Sequence, residues 1–246
     1  QRPPFWRFWN SLPASGRIGF FVGGWAAEPI RGRLAREFDD DGFNTWLGHA
    51  ARFEQTLAAD GTLILKFWLH LPGRELNRRV AGERDGEEAA WQIQDSDAAI
   101  LKSWRRWVPL ADQLLEATDT PLARWHVIDG TQDRARNLAV ARTILAGLRK
   151  FLARPAKPVA RSRRRPVSFP DALAGVDLAA RFNAEKAYEL ALQKRQGALA
   201  RLGRRAREEG VSCVVVFEGW DAAGKGGAIR RVTRALDVRD YRVVPV

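Results

Sequence analysis

Methionine is absent from the 246 residues, and there is a single cysteine. A chain that opens on Gln1 without a methionine is expected to be a piece of a longer product, with parts missing at both ends. One cysteine, Cys213, excludes an internal disulfide and any cysteine metal cluster. Set in the apolar run "VSCVVVF", it reads as a buried, inert thiol. An apolar run of the roughly 18 to 20 residues that spans a bilayer is also missing. The best candidates, "IGFFVGGWAA" and "LILKFWLHL", are too short, and no charged-then-apolar leader opens the chain. These absences lead to the expectation of a cytoplasmic protein. Histidine is scarce too: His49, His70 and His126 are scattered without metal-ligand spacing and read as structural. Glu28, Asp39, Asp40 and Asp41 read as a loop region with no catalytic pair.

Positive charge is abundant. Lys and Arg number 41 against 29 Asp and Glu, for a net charge of +12. Such a chain attracts polyanions: nucleic acid, nucleotides, polyphosphate or an anionic membrane surface. Arginine supplies most of the charge, and its planar fork grips phosphate oxygens as an ammonium cannot. A solvated basic surface is the plainer reading. Hydrophobic residues make up 46 %, enough for a packed core.

Five apolar runs read as buried strands: Arg17 to Val22, Thr62 to Leu71, Arg124 to Asp129, Ser212 to Phe217, and "YRVVPV" ending at Val246. They are apolar almost throughout rather than alternating, as strands covered on both faces should be. Helical patterns lie between them, so the chain is expected to be α/β with a mostly parallel sheet. Residues 154–177 break the pattern. "RPAKPVARSRRRPVSFP" combines prolines with repelling charges and reads as a linker, with a basic nucleic-acid-binding arm as its rival. A long helix is expected from about Asp177 to Glu209, stopped by Gly210. The tryptophan pairs of "PFWRFW" and "SWRRW" read as core packing rather than base-stacking platforms.

The stretch "FEGWDAAGKGG", Phe217 to Gly227, carries the chemistry. A strand ends at Phe217, glycines allow a tight turn, and a helix begins near Lys225, the context a phosphate-binding loop requires. In such a loop the backbone of Gly219, Ala222, Ala223, Gly224, Gly226 and Gly227 faces phosphate oxygens, and the helix N-terminus adds partial positive charge. Lys225 would reach the outer phosphates. The Ser or Thr that ordinarily follows the lysine and holds Mg²⁺ is replaced by Gly226. Asp221 inside the loop can supply the hard oxygen ligand instead, or orient an attacking oxygen. Phosphoryl transfer between two phosphate-bearing molecules fits this set. Arg230, in the first turns of the following helix, faces either substrate or solvent.

"FEGWDAAGKGG" followed by "AIRR" resembles the Walker A segment of the polyphosphate kinase 2 family, P-loop kinases that move phosphate between inorganic polyphosphate and nucleotides. Three further stretches carry the resemblance. "RPPFWRFWNSLPASGRIGFF" is similar to the family's approach to its Walker B strand. "LILKFWLHLPGRELNRR" is similar to the strand entering the arginine-bearing lid. "EATDTPLARWHVID" with "DRARNLAVARTIL" is similar to its last strand and closing helix. The family order places the loop first, whereas here it comes last. The resemblance therefore implies two tandem P-loop kinase-like copies, both truncated. Residues 1–153 would be a first copy without its loop, 154–177 a linker, and 178–246 the start of a second copy. Where the family has Asp-Arg-Ser-Trp, this chain has Val22, Gly23 and Gly24 before Trp25, so the first copy is expected to be non-catalytic. Arg74, Arg78 and Arg79 match the lid arginines and would grip polyphosphate, or form a solvated face.

The tandem order resembles the polyphosphate:AMP phosphotransferase branch. It implies an Mg²⁺-dependent kinase making ADP from AMP, with Asp221 and Lys225 as catalytic residues. The chain on its own is expected to be inactive. Its partners would be polyphosphate and nucleotide, without nucleic acid or membrane, and a homo-oligomer stays open. An ATP-dependent kinase of the thymidylate-kinase type and a non-catalytic polyanion-binding protein are the alternatives.

Overall fold

The computed structural model describes residues 5–25, 27–84, 101–153, 173–178 and 184–245, with backbone alone at 27, 80–84 and 221. In chain order the elements are α1 (Trp6–Trp9), β1 (Ile18–Val22), α2 (Ala27–Leu34), α3 (Asp40–Ala59), β2 (Leu63–His70) and α4 (Gly73–Arg84). There follow α5 (Trp104–Thr118), β3 (Trp125–Asp129), α6 (Asp133–Leu152), α7 (Glu185–Glu208), β4 (Cys213–Gly219), α8 (Lys225–Thr233) and β5 (Tyr241–Pro245). The strands form one parallel sheet in the order β3-β2-β4-β1-β5.

The expectation of buried strands holds for β1, β2 and β4, which are covered on both faces, whereas β3 is mostly half-buried and β5 mostly exposed because they are the edges of the sheet. In β4, Cys213, Val215 and Phe217 join the core beneath α6, α7 and α8, while Val214 and Val216 join Phe53 and Leu57 of α3. All five β4 residues are fully buried. Cys213 is inert as expected: burial pushes its thiol up to about 12. β1 alternates in the same sense, Phe20 toward one cluster and Phe21 toward the other.

Residues 1–153 and 178–246 were expected to belong to two truncated copies; in this structure strands from both stretches share one sheet. β4 inserts between β1 and β2, and β1 lies between β4 and β5. The register pairs Phe20 with Val215 and Phe67 with Phe217, whose rings stack at 5.1 Å. The reason is edge satisfaction. Without β4, β1 and β2 would each expose an unpaired apolar edge, an unfavourable arrangement, whereas the sheet's actual edges are its less buried strands, β3 and β5.

Other expectations shift locally. The long helix begins at Glu185 rather than near Asp177. Residues 173–178 are turns and extended chain, drawn in by buried Leu173, whose N–H donates to Asp112 Oδ1 at 3.2 Å. Gly210 ends the helix in the left-handed region at φ 66°, as expected. Most of the expected linker lies outside the described residues. Trp6 and Trp9 are 46 % and 41 % exposed, contrary to the core reading, because Phe5 and Phe8 take the buried face of α1. Trp107 is buried as expected. Glu28 belongs to α2, and Asp40 and Asp41 to the first turn of α3, which Asp39 caps by accepting the Gly42 N–H at 2.7 Å.

One buried ion pair fixes the middle layer. Lys66 Nζ of β2 donates to Glu54 Oε2 of α3 at 2.8 Å and to Thr118 O at 2.7 Å, and Trp25 Nε1 donates to Glu54 Oε1 at 2.9 Å. Burial pushes the Glu54 carboxyl up and the Lys66 ammonium down, each opposed by the other's charge. The pair also anchors Trp25 and therefore the turn that leaves β1.

Candidate functional site

All strands are parallel, so the segments leaving their carboxyl ends share one edge of the sheet, where open α/β sheets place their ligands. The turn from β4 to α8 lies at the centre of that edge. Gly219 has φ 117° and Gly224 φ 83°, both in the left-handed region. A Cβ at 219 would collide with the Leu69 carbonyl, and one at 224 with the Arg136 guanidinium. Between them Asp221–Ala223 form a single 3₁₀ turn, closed by Ala223 N–H donating to Trp220 O at 3.0 Å. α8 then starts at Lys225 with no acid in its first turn. The strand–turn–helix expected of a phosphate loop is present.

Lys225 is buried, and its Nζ donates to Gly219 O at 2.6 Å, folding the ammonium across the loop. Gly226 is exposed, and a Cβ there would meet open space, so packing does not forbid the missing hydroxyl. Gly227 accepts from Arg231 Nη1 at 3.0 Å through its carbonyl. Arg230 is exposed. The side chain of Asp221 lies outside the described residues. Among the described residues no group of three or more His, Cys, Asp or Glu could hold a metal ion.

The three expected lid arginines part ways. Arg78 is exposed and forks onto Glu75 at 2.7 and 2.9 Å. Hydrogen bonds from Arg78, with a smaller one from Arg79, hold the Glu75 carboxyl down at about 2 against the opposing effect of burial. Arg74 is exposed and lines an open groove with Lys102, Arg105 and Arg106. Arg79 alone reaches the loop. It donates to Ala222 O and, through Nη2, to Gly130 O at 3.2 Å and Thr131 O at 2.9 Å.

Several residues at this edge gave no sequence signal. Arg136 of α6 is buried and donates through Nη1 to Ala223 O at 2.9 Å. Glu218, buried at the end of β4, accepts the Gly24 N–H and so ties the turn after β1 to the loop strand. A Cβ at 24 would strike Val216, which explains the glycine in that turn. Trp220, buried within the loop, stacks on Trp104 with ring centroids 4.8 Å apart and lies 4.0 Å from Trp107. His70 ends β2 opposite Asp129 in register, and its Nδ1 has no hydrogen-bond partner among the described residues. Burial lowers its pKa to about 4 against the opposing charge of Asp129, so the imidazole is neutral. Asp129 in turn accepts from Thr131 N–H at 2.8 Å and Thr131 Oγ1 at 2.7 Å, shaping the turn that Arg79 grips.

The family model of polyphosphate kinase 2 matches residues 1–154 and 182–246, which include every segment of this edge. The chain belongs to the polyphosphate kinase 2 family. Over its whole length it is 36 % identical to a polyphosphate:AMP phosphotransferase of Pseudomonas aeruginosa, covering 50 % of that protein. A polyphosphate:AMP phosphotransferase of Pseudomonas syringae is 35 % identical over 99 % of the chain, again with 50 % of the relative covered. The chain thus spans about half the length of these curated relatives. A solved polyphosphate kinase 2 structure from Pseudomonas aeruginosa matches with TM-score 0.54 and 36 % identity, over 100 % of this chain and 47 % of that one. A polyphosphate kinase 2 structure from Arthrobacter aurescens matches with TM-score 0.59 over 67 % of this chain and 57 % of that one; at 22 % identity it speaks for the fold alone.

Proposed function

We propose that the protein carrying this chain transfers a phosphoryl group from inorganic polyphosphate to a nucleotide, with AMP the acceptor and ADP the product. The observation that carries this reading is the β4–α8 loop, with Lys225 folded over it, in a chain aligned along its length with proteins named polyphosphate:AMP phosphotransferases. Lys225 and Asp221 are the proposed catalytic residues. Backbone N–H groups of the loop between Gly219 and Gly227 would face the transferring phosphate, and Lys225 would neutralise charge as it develops. Arg74, Arg78, Arg79 and Arg230 are proposed to hold the polyanion. Only Arg79 contacts the loop in this conformation, so a grip by the others calls for a bound chain to draw them in.

Mg²⁺ belongs to the same proposal. Gly226 offers no hydroxyl and Val22 no carboxylate, which leaves Asp221 as the loop's hard oxygen ligand and most of the coordination to phosphate oxygens and water, as Mg²⁺ prefers. Bound there, the ion would offset phosphate charge. We further propose that residues 1–153 and 178–246 derive from two tandem kinase copies joined by 154–177, the first non-catalytic because Val22 stands where the family has its acid. A cytoplasmic location fits the buried Cys213 and the absence, among the described helices, of one long and apolar enough to cross a membrane. Partners under this reading are polyphosphate and nucleotide rather than nucleic acid or membrane. Association with a second copy is a further proposal, open to light scattering.

The test is donor choice. The intact protein with Mg²⁺ and AMP is expected to form ADP from polyphosphate without ATP. ADP formed from ATP alone would support a thymidylate-kinase-type enzyme, and polyphosphate binding without ADP from any donor would support a binding protein.

A further inference from the structure

Beyond its own hydrogen bonds, the phosphate loop is met by a network from three helices. Arg136, only 2 % exposed, is fixed on α6 by Asp133 Oδ1 at 2.8 Å and by Asn137 Oδ1, 3.3 Å from both Nε and Nη2. Asn137 Nδ2 donates to the Tyr188 hydroxyl of α7 at 3.3 Å. That hydroxyl also accepts from Arg231 Nε of α8 at 3.1 Å, and Arg231 reaches the Gly227 carbonyl. The chain of contacts begins in the middle of the loop, at Ala223, and returns at its far end, Gly227.

We propose that Arg136 is a positioning residue for the phosphate loop, acting through the Ala223 carbonyl and, by way of Asn137, Tyr188 and Arg231, through Gly227. A trans peptide is planar, with its C=O and N–H on opposite sides. By holding Ala223 O, Arg136 turns the Gly224 N–H the other way, and its guanidinium fills the space a side chain at 224 would need. Burying a guanidinium costs free energy unless its donors are met. Here they are met by loop backbone and helix, and Asp133, the carboxylate on Nη1, is itself largely exposed. An apolar side chain would fill the space at lower cost. It would leave the Ala223 carbonyl free to rotate and remove a fixed positive charge from beside a polyanion site. Arg136 lies in the first matched stretch and the loop in the second, so the first stretch contributes to phosphate binding even with Val22 in place of its acid.

The inference rests on the phosphate-loop reading above. Its test is calorimetric titration of the full chain with pyrophosphate, each variant first shown to unfold cooperatively. Arg136→Gln is expected to weaken binding by about tenfold, equivalent to about 1.4 kcal/mol. Arg136→Lys, which keeps a donor but not the fork, should recover part of the loss. Tyr188→Phe removes one hydroxyl with little risk to folding and should weaken binding by about threefold, a fraction of a hydrogen bond to a charged group. Arg142→Gln, exposed on the same helix, should match wild type. Wild-type affinity in both Arg136→Gln and Tyr188→Phe would overturn the inference alone. Failure of the wild-type chain to bind pyrophosphate would overturn the phosphate-loop reading, and this inference with it.

Discussion

Lys225→Ala is expected to cut turnover of the intact protein at least about a hundredfold while leaving its melting temperature nearly unchanged. The structural part of the lysine's role includes the hydrogen bond from Nζ to Gly219 O, worth about 1 kcal/mol. Its proposed catalytic part is charge neutralisation where charge builds up in the transition state, worth about 3 to 4 kcal/mol for a single preorganised donor. The two therefore separate in one experiment: initial rates of ADP formation beside a thermal melt. Asp221→Asn should cost a similar factor in rate, whereas Glu28→Gln, on α2 and paired with Arg7, should cost almost nothing. A Lys225→Ala enzyme with near-normal rates would place the chemistry elsewhere.

Lys66→Ala is expected to have the largest effect on stability. It strands Glu54 in the core, with the Trp25 indole as its remaining donor. Removing one partner of a buried pair costs about 3 to 5 kcal/mol. For a chain of this size each kcal/mol moves the melting temperature by about 2 to 4 °C, so a drop of about 6 to 20 °C should appear. Replacing both partners together, Glu54→Leu with Lys66→Met, should cost less than Lys66→Ala alone, because no unpaired charge is left behind. A melt within 2 °C of wild type for Lys66→Ala would show that water reaches Glu54 and that the pair is not sealed.

Much of this was legible in the sequence. β1, β2 and β4 were visible because strands covered on both faces are apolar almost throughout, while β3 and β5, the sheet's edges, showed only as apolar runs with polar residues among them. The loop was visible because glycine at 219 and 224 answers a backbone need that other residues meet only with strain. The pairing of β4 with β1 and β2 was not visible. Motif order speaks of ancestry, whereas strand order follows from which apolar edges find each other, and 195 residues separate Ile18 from its partner Cys213. Trp6 and Trp9 misled because bulk was taken for burial, when Phe8 of the same short helix and Phe5 just before it take the buried side. Arg136 carried no signal at all. Its neighbours Asp133 and Asn137 look like ordinary helix polarity, and only the crossing of α6 behind the loop gives the guanidinium a carbonyl to hold.

The central claim is that loops from both family-matched stretches build one phosphate site at one sheet edge. Hydrogen–deuterium exchange of the full chain with and without pyrophosphate tests it most directly, since local protection follows local stabilisation of the backbone. The account predicts added protection at 219–227 together with 130–132 and 71–79, the turns that meet the loop through Arg79, Arg136 and the end of β2. Protection confined to 213–233, with 71–79 and 130–132 unchanged, would contradict it.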